Sequence, residues 1–155
     1  MLVWYIFSNF VPKFQKSDMS TIKIHDKVFR TSYSEAEILQ HVKAVADRLN
    51  KDMEGKNPLF LAVLNGSFIF AADLMRMITI PCEISFVKLA SYQGTLSTGK
   101  VKEVIGINED ITGRTVVIIE DIVESGLTTK RMIDTLGTRN PESGHICTLR
   151  LKPEK

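Results

Sequence analysis

Thr115-Val116-Val117-Ile118-Ile119-Glu120-Asp121-Ile122-Val123-Glu124-Ser125-Gly126-Leu127-Thr128-Thr129 is the stretch on which the reading of this chain turns. Val116 to Ile119 are four β-branched apolar residues without a polar break. Such a run predicts a strand covered on both faces, as in a parallel sheet. Two carboxylates follow, where that strand should end. A short Ser/Gly/Thr loop comes next, and Thr129 to Leu136 has helical spacing. Strand, acidic pair, small-residue loop and helix together describe an anion site, because free N–H groups and the helix dipole favour phosphate at a helix N-terminus.

The side chains of the stretch suit a sugar phosphate. Ser125 and Thr128 can donate hydroxyls, and Gly126 lets the backbone come close to a ligand. Glu120 and Asp121 repel phosphate, but carboxylates bind sugar hydroxyls or a magnesium ion, which takes hard oxygen ligands. On pattern alone, an ordinary β-loop-α connection with solvated acids fits equally well, since helix caps use the same residue types.

A second strand-to-helix switch lies upstream. Leu59 to Leu64 is fully apolar, Asn65-Gly66-Ser67 is a sharp turn, and Phe68 to Met77 is helical. Ligands of parallel sheets bind beyond the carboxyl ends of the strands, so the ends at Asn65 and Asp121 could face one crevice. A plain Asn-Gly turn is the simpler reading. Cys82 to Leu89 predicts another strand, and the pattern resumes over Val101 to Ile107. The polar, glycine-bearing stretch Tyr92 to Lys100 between them fits either a lid that excludes water or a hairpin tip. His145 to Leu151 reads as the last strand. Lys152 follows it, placed to reach the crevice or simply to be solvated.

Taken in order, these segments resemble the type I phosphoribosyltransferases, and more narrowly their hypoxanthine/guanine branch. Thr115 to Thr129 is similar to the phosphoribosyl diphosphate signature. Leu64-Asn65-Gly66-Ser67-Phe68 with Ala72-Asp73-Leu74 looks like the pyrophosphate loop and its helix. Phe86 to Tyr92 with Ser97-Thr98-Gly99 looks like the flexible lid, and Leu149 to Glu154 like the segment with a base-contacting lysine. The resemblance runs from about Phe60 to the C-terminus. It implies an α/β fold, a parallel twisted sheet flanked by helices with a flexible β-loop-β lid.

The resemblance also implies roles. Leu64, Asn65 and Gly66 would turn their backbone toward pyrophosphate, with a cis peptide before Asn65. Ser91 and Tyr92 would cover the ligand. Glu120 and Asp121 would hold the ribose hydroxyls and help seat Mg2+. Ser125, Gly126, Leu127 and Thr128 would hold the 5′-phosphate. Glu124 would accept a proton near the purine N7, and Lys152 would meet the 6-oxo group. The implied reaction is displacement at the ribose C1 carbon, with pyrophosphate leaving and N9 of an oxopurine attacking. The implied ligands are phosphoribosyl diphosphate and an oxopurine base, and the expected assembly is a homo-oligomer, dimer or tetramer.

Two departures stand out. The family usually has aspartate where this chain has Glu124, and a small misplacement of a reacting group can cost about 10²-fold in rate. Relatives also continue past the position of Lys155 with a base-stacking aromatic and an acidic magnesium ligand, so the C-terminal part is expected to be missing.

The remaining features set limits. At 155 residues the chain fits one domain with a substantial core. A net charge of +2 gives no bulk attraction to nucleic acid. Cys82 and Cys147 lack C-x-x-C spacing and read as reduced thiols, which points to the cytoplasm. His25, His41 and His145 show no metal-ligand spacing. Met1 to Phe14 is apolar and aromatic but too short to span a bilayer, and no positive residue precedes its apolar run. Residues 1–18 are therefore read as a non-core extension ahead of a 19–155 domain, either upstream of a natural start at Met19 or a disordered or partner-packed arm. Ile22 to Arg30 suggests an edge strand or hairpin. Ser34 with Glu37 forms a capping box for a helix from about Glu35 to Met53.

Three function classes follow: an oxopurine salvage transferase, a binding or regulatory protein of the same fold with weak chemistry, and an unrelated nucleotide-binding α/β protein. Neither G-x-G-x-x-G nor G-x-x-x-x-G-K-[ST] occurs, which weakens the third.

Overall fold

The structure, a computed structural model, describes residues 4–7, 21–89, 104–105, 107–123 and 127–151. In chain order its elements are β1 (Trp4–Phe7), β2 (Thr21–Ile24), β3 (Lys27–Arg30), α1 (Glu35–Asp52), β4 (Leu59–Leu64), α2 (Phe68–Met75), β5 (Glu83–Leu89), β6 (Val104–Ile105), β7 (Thr115–Val123), α3 (Leu127–Gly137) and β8 (Ser143–Leu151). One sheet runs β1-β8-β7-β4-β5-β6, and a separate hairpin joins β2 to β3. Strands β1, β8, β7, β4 and β5 are parallel, and only β6 runs antiparallel, against β5. Residues 1–18, read from sequence as lying outside the core, include β1, which pairs with β8 from Trp4↔Gly144 to Phe7↔Cys147.

The sheet is a middle layer. Phe60, Ala62, Val117, Ile119 and Cys147 face α1 and α2, where they pack with Val42, Leu49, Phe70 and Leu74. Leu59, Leu61, Val63, Val116 and Ile118 face the other way, against Met132 and Leu136 of α3. Strand alternation explains the split, since successive side chains leave on opposite faces. It also explains why the two apolar runs show no polar alternation: both faces are covered.

Local signals set several boundaries. The Ser34 hydroxyl accepts from Glu37 N–H at 3.3 Å, and the Ser34 N–H donates to Glu37 Oε2 at 2.6 Å, so the expected capping box opens α1. At the base of the sheet, Arg114 donates twice to Glu83, at 2.8 and 3.2 Å, tying the approach to β7 to the start of β5.

Other expectations need correction. The acidic pair does not follow β7 but lies inside it, because pairing with β8 continues through Ile122↔Arg150 and Val123↔Leu151. Gly137, a residue type suited to a helix C-cap, is the last residue of α3. The left-handed residue of that loop is Asn140, at φ 51°, a substitution that asparagine tolerates. Helix α3 also starts two residues earlier than its apolar spacing suggests. The expected β-loop-β excursion survives as the antiparallel pairs Lys88↔Ile105 and Leu89↔Val104; the lid itself lies outside the described residues.

Candidate active site where two strands part

Strands β4 and β7 pair from Leu59↔Val116 to Ala62↔Ile119 and then separate. Beyond that point β4 follows β5, through Leu64↔Lys88, while β7 follows β8. The connections diverge as well. Helix α2 carries the chain from β4 to β5 on one side, and α3 carries it from β7 to β8 on the other. This is the switch point of an open α/β sheet, where a crevice forms because the two loops leave in opposite directions.

One wall of the crevice is the turn after β4. The Leu64–Asn65 peptide is cis, as the resemblance implied. Ser67 is fully buried at the start of α2, yet its hydroxyl does not cap that helix. It donates back to the Val63 carbonyl at 2.7 Å, and the Ser67 N–H reaches the same oxygen at 3.2 Å. Gly66 comes so close to the opposite wall that a Cβ there would lie 3.0 and 3.1 Å from the two carboxylate oxygens of Asp121. A side chain here would require the Asp121 carboxylate to shift by a few tenths of an ångström. The carboxylate also sits at the turn that opens α2, where the helix dipole favours negative charge.

The other wall is the upper part of β7. Glu120 and Asp121 alternate across the strand, so Asp121 lies on the α2 face and Glu120 on the α3 face, in register with Thr148. Asp121 Oδ1 accepts the Ile122 N–H at 2.9 Å. Thr148, fully buried, donates its hydroxyl to the Asp121 carbonyl at 3.2 Å and lies 3.1 Å from the Arg150 carbonyl. Burial and then the neighbouring Asp121 charge raise the Glu120 carboxyl to about 7. Glu120 therefore favours its neutral form in the fold. Its contribution to stability is present in acid and is lost as pH rises from about 4.5 through about 7. Glu120→Gln should lack this loss, so thermal unfolding should show its melting temperature gaining on the parent between pH 5 and pH 8.

The structure thus brings the Leu64, Asn65 and Gly66 turn against Asp121, while Glu120 is adjacent in β7 but on its other face. Leu127 and Thr128 form the first turn of α3, where backbone N–H groups lack helical partners. Ser91, Tyr92, Glu124, Ser125, Gly126 and Lys152 lie outside the described residues. Ser67 and Thr148 were not singled out from sequence. Ser67 reads there as part of a sharp turn and Thr148 as one residue of an alternating strand; the folded turn gives Ser67 its acceptor, and the pairing of β7 with β8 gives Thr148 its own. Thr148→Val keeps the shape and removes the bond, leaving a partly buried carbonyl short of a donor. A loss of about 1 kcal/mol is expected, read as a melting-temperature drop of roughly 3 °C.

Toward β8, a groove of about 160 Å³ adjoins the acidic wall, lined by Tyr33, Ile38, His41, Ile122, Leu149 and Arg150. The Arg150 guanidinium stands 5.6 Å from the centre of the Tyr33 ring, a cation–π distance. Among the described residues no three His, Cys, Asp or Glu side chains are grouped to hold a metal. Among the same residues no helix is long and apolar enough to cross a membrane.

Residues 31–155 match the family model of the phosphoribosyl transferase domain. The hypoxanthine-guanine phosphoribosyltransferase of Streptococcus mutans is 40% identical over 132 residues, covering 84% of this chain and 73% of that protein. The hypoxanthine phosphoribosyltransferase of Buchnera aphidicola is 44% identical over 124 residues, covering 78% and 70%. Among solved structures, a hypoxanthine-guanine phosphoribosyltransferase from Bacillus anthracis superposes with a TM-score of 0.66 at 38% identity, covering 77% of this chain and 69% of that one.

Proposed function

Because this chain belongs to the phosphoribosyl transferase domain family, we propose that it is a purine-salvage enzyme that moves the 5-phosphoribosyl group of phosphoribosyl diphosphate to N9 of hypoxanthine, and also of guanine, with release of pyrophosphate. The observation that carries the reading is the parting of β4 from β7. It sets a backbone turn against Asp121 across one crevice, with Glu120 next to it in β7 on the strand's other face.

In this reaction the bond from C1 of the ribose to the pyrophosphate oxygen breaks and the bond from C1 to N9 forms. Positive charge builds on the ribose as the bond breaks, so carboxylates beside it lower the barrier electrostatically. Asp121 and Glu120 accept from the ribose hydroxyls. The Leu64–Gly66 turn receives the pyrophosphate with its backbone, and the first turn of α3 with Ser125 and Gly126 receives the 5′-phosphate. Glu124 takes the proton released near N7, Lys152 donates to the base oxo group, and Ser91 and Tyr92 close over the ligand. The donor set of Glu120 and Asp121 fits Mg2+, which is commonly held by one or two carboxylates and completes its shell with substrate oxygens. When bound, Mg2+ neutralises charge on the leaving pyrophosphate.

The setting is cytoplasmic, and neither a nucleic acid nor a membrane is a partner. A homo-oligomer, dimer or tetramer, is supported by apolar surface near the turn. Phe68 and Ile69 of α2 are exposed. Ile84 and Phe86 of β5 are exposed on the same sheet face, being paired with Phe60 and Ala62. Such a patch favours association.

The deciding experiment is turnover with phosphoribosyl diphosphate, Mg2+ and hypoxanthine, guanine or xanthine in turn, with nucleotide formation followed by absorbance. Product from hypoxanthine is expected, and no product from any base would end the enzyme reading. A second reading, a ligand-binding protein with weak chemistry, draws on Glu124 in place of the family's usual aspartate. Binding of phosphoribosyl diphosphate without turnover would select it.

A further inference from the structure

We propose that Ser67 is a positioning residue and that it works through Gly66: the turn after β4 sets where the Asp121 carboxylate stands, so the pyrophosphate side and the ribose side of the crevice act as one unit. The inference rests on the phosphoribosyl diphosphate reading for its kinetic consequence but not for its geometry. Three contacts make the chain of cause. The Ser67 hydroxyl, fully buried, is held by the Val63 carbonyl at 2.7 Å, on the last buried residue of β4. The Phe68 N–H donates to the Asn65 carbonyl at 3.3 Å, which closes the turn. Gly66, inside that turn, abuts both carboxylate oxygens of Asp121, with 3.0 Å left for a Cβ.

The Asp121 side chain has little freedom to evade a shift of the turn. Its Oδ1 is already bound to the Ile122 N–H at 2.9 Å, and its own carbonyl is held by Thr148 at 3.2 Å. A carboxylate pinned on one side and abutted on the other follows the backbone that touches it. The Ser67 carbonyl accepts the Ala71 N–H of the helix at 2.7 Å, but its hydroxyl makes no bond to that helix and serves the turn. A ligand that draws the turn's backbone toward itself would therefore also reposition Asp121.

The test uses Ser67→Ala, which frees the turn without adding an atom, and Gly66→Ala, which pushes on the carboxylate directly. The first readout needs no ligand: the carboxylate-carbon NMR resonance of Asp121 in the full chain. Both variants are expected to move it, and thermal unfolding verifies that each is folded. A resonance unmoved in folded Ser67→Ala protein would overturn the proposal. The second readout is kinetic. Gly66→Ala should raise KM for phosphoribosyl diphosphate by about tenfold with KM for the base unchanged, and the rise should shrink to about twofold in an Asp121→Ala background. Full additivity of the two substitutions would overturn the coupling. A parent chain that neither binds nor turns over phosphoribosyl diphosphate would sink the functional reading, while the resonance would still decide the geometry.

Discussion

Glu120→Gln combined with Asp121→Asn is expected to lower kcat/KM for phosphoribosyl diphosphate by about 10³-fold, because the proposed reaction places both preorganised charges beside the ribose. The amides keep the shape of the carboxylates, so the fold should persist. Gln at position 120 should even relieve the burial that holds Glu120 near 7. Each single substitution should cost less than the pair, and the base KM should hardly change. The measurement is steady-state kinetics with phosphoribosyl diphosphate as the varied substrate, at pH 8 where Glu120 is ionised. A double variant that retains more than about a tenth of parent activity would remove the acidic pair from the mechanism.

Phe60→Ala should be the most damaging single change to stability. Phe60 is fully buried in the middle of β4 and packs in the cluster that joins α1 and α2 to the sheet. Truncating a buried phenylalanine costs about 3–5 kcal/mol, from lost apolar transfer and from the cavity left behind. For a chain of this size the melting temperature should fall by roughly 10 °C or more. Thermal unfolding monitored by circular dichroism measures it. A fall of only a few degrees would mean that the two layers close over the gap.

These two variants separate what the sequence reveals from what it hides. Phe60 lies in an apolar run whose burial on both faces is legible from residue type, as is that of Val116 to Ile119. The Ser34–Glu37 capping box is legible because both partners lie within one turn. The Asn-Gly turn is legible because few residues suit it. The end of β7 is not legible, because its extension through Glu120 to Val123 depends on β8, a strand distant in sequence. For the same reason the opposite faces of Glu120 and Asp121 emerge only from the register. The left-handed residue after α3 is Asn140, a residue type that tolerates this conformation as glycine does, and which of the two takes it is fixed by the folded loop. The convergence of Gly66 on Asp121 needed three dimensions, although the crevice itself follows from two strand-to-helix switches in one chain.

If the proposed reaction holds, the demands of durability and of chemistry occupy separate lengths of β7. Thr115 to Ile119 is buried, with Val116 to Ile119 flanked by β4 and β8, and among the described residues Glu120 to Val123 pairs with β8 alone. Proteins often give up activity when they are made more robust, because the reacting groups share residues with the packing. Here that trade-off has a location, at the step from Ile119 to Glu120. Changes that improve packing below it, or around Arg114 and Glu83 at the base, can harden the molecule without a toll on the crevice. The reverse also holds: the upper length can drift toward other substrates while the lower length keeps the fold, so one strand permits both inheritance and novelty.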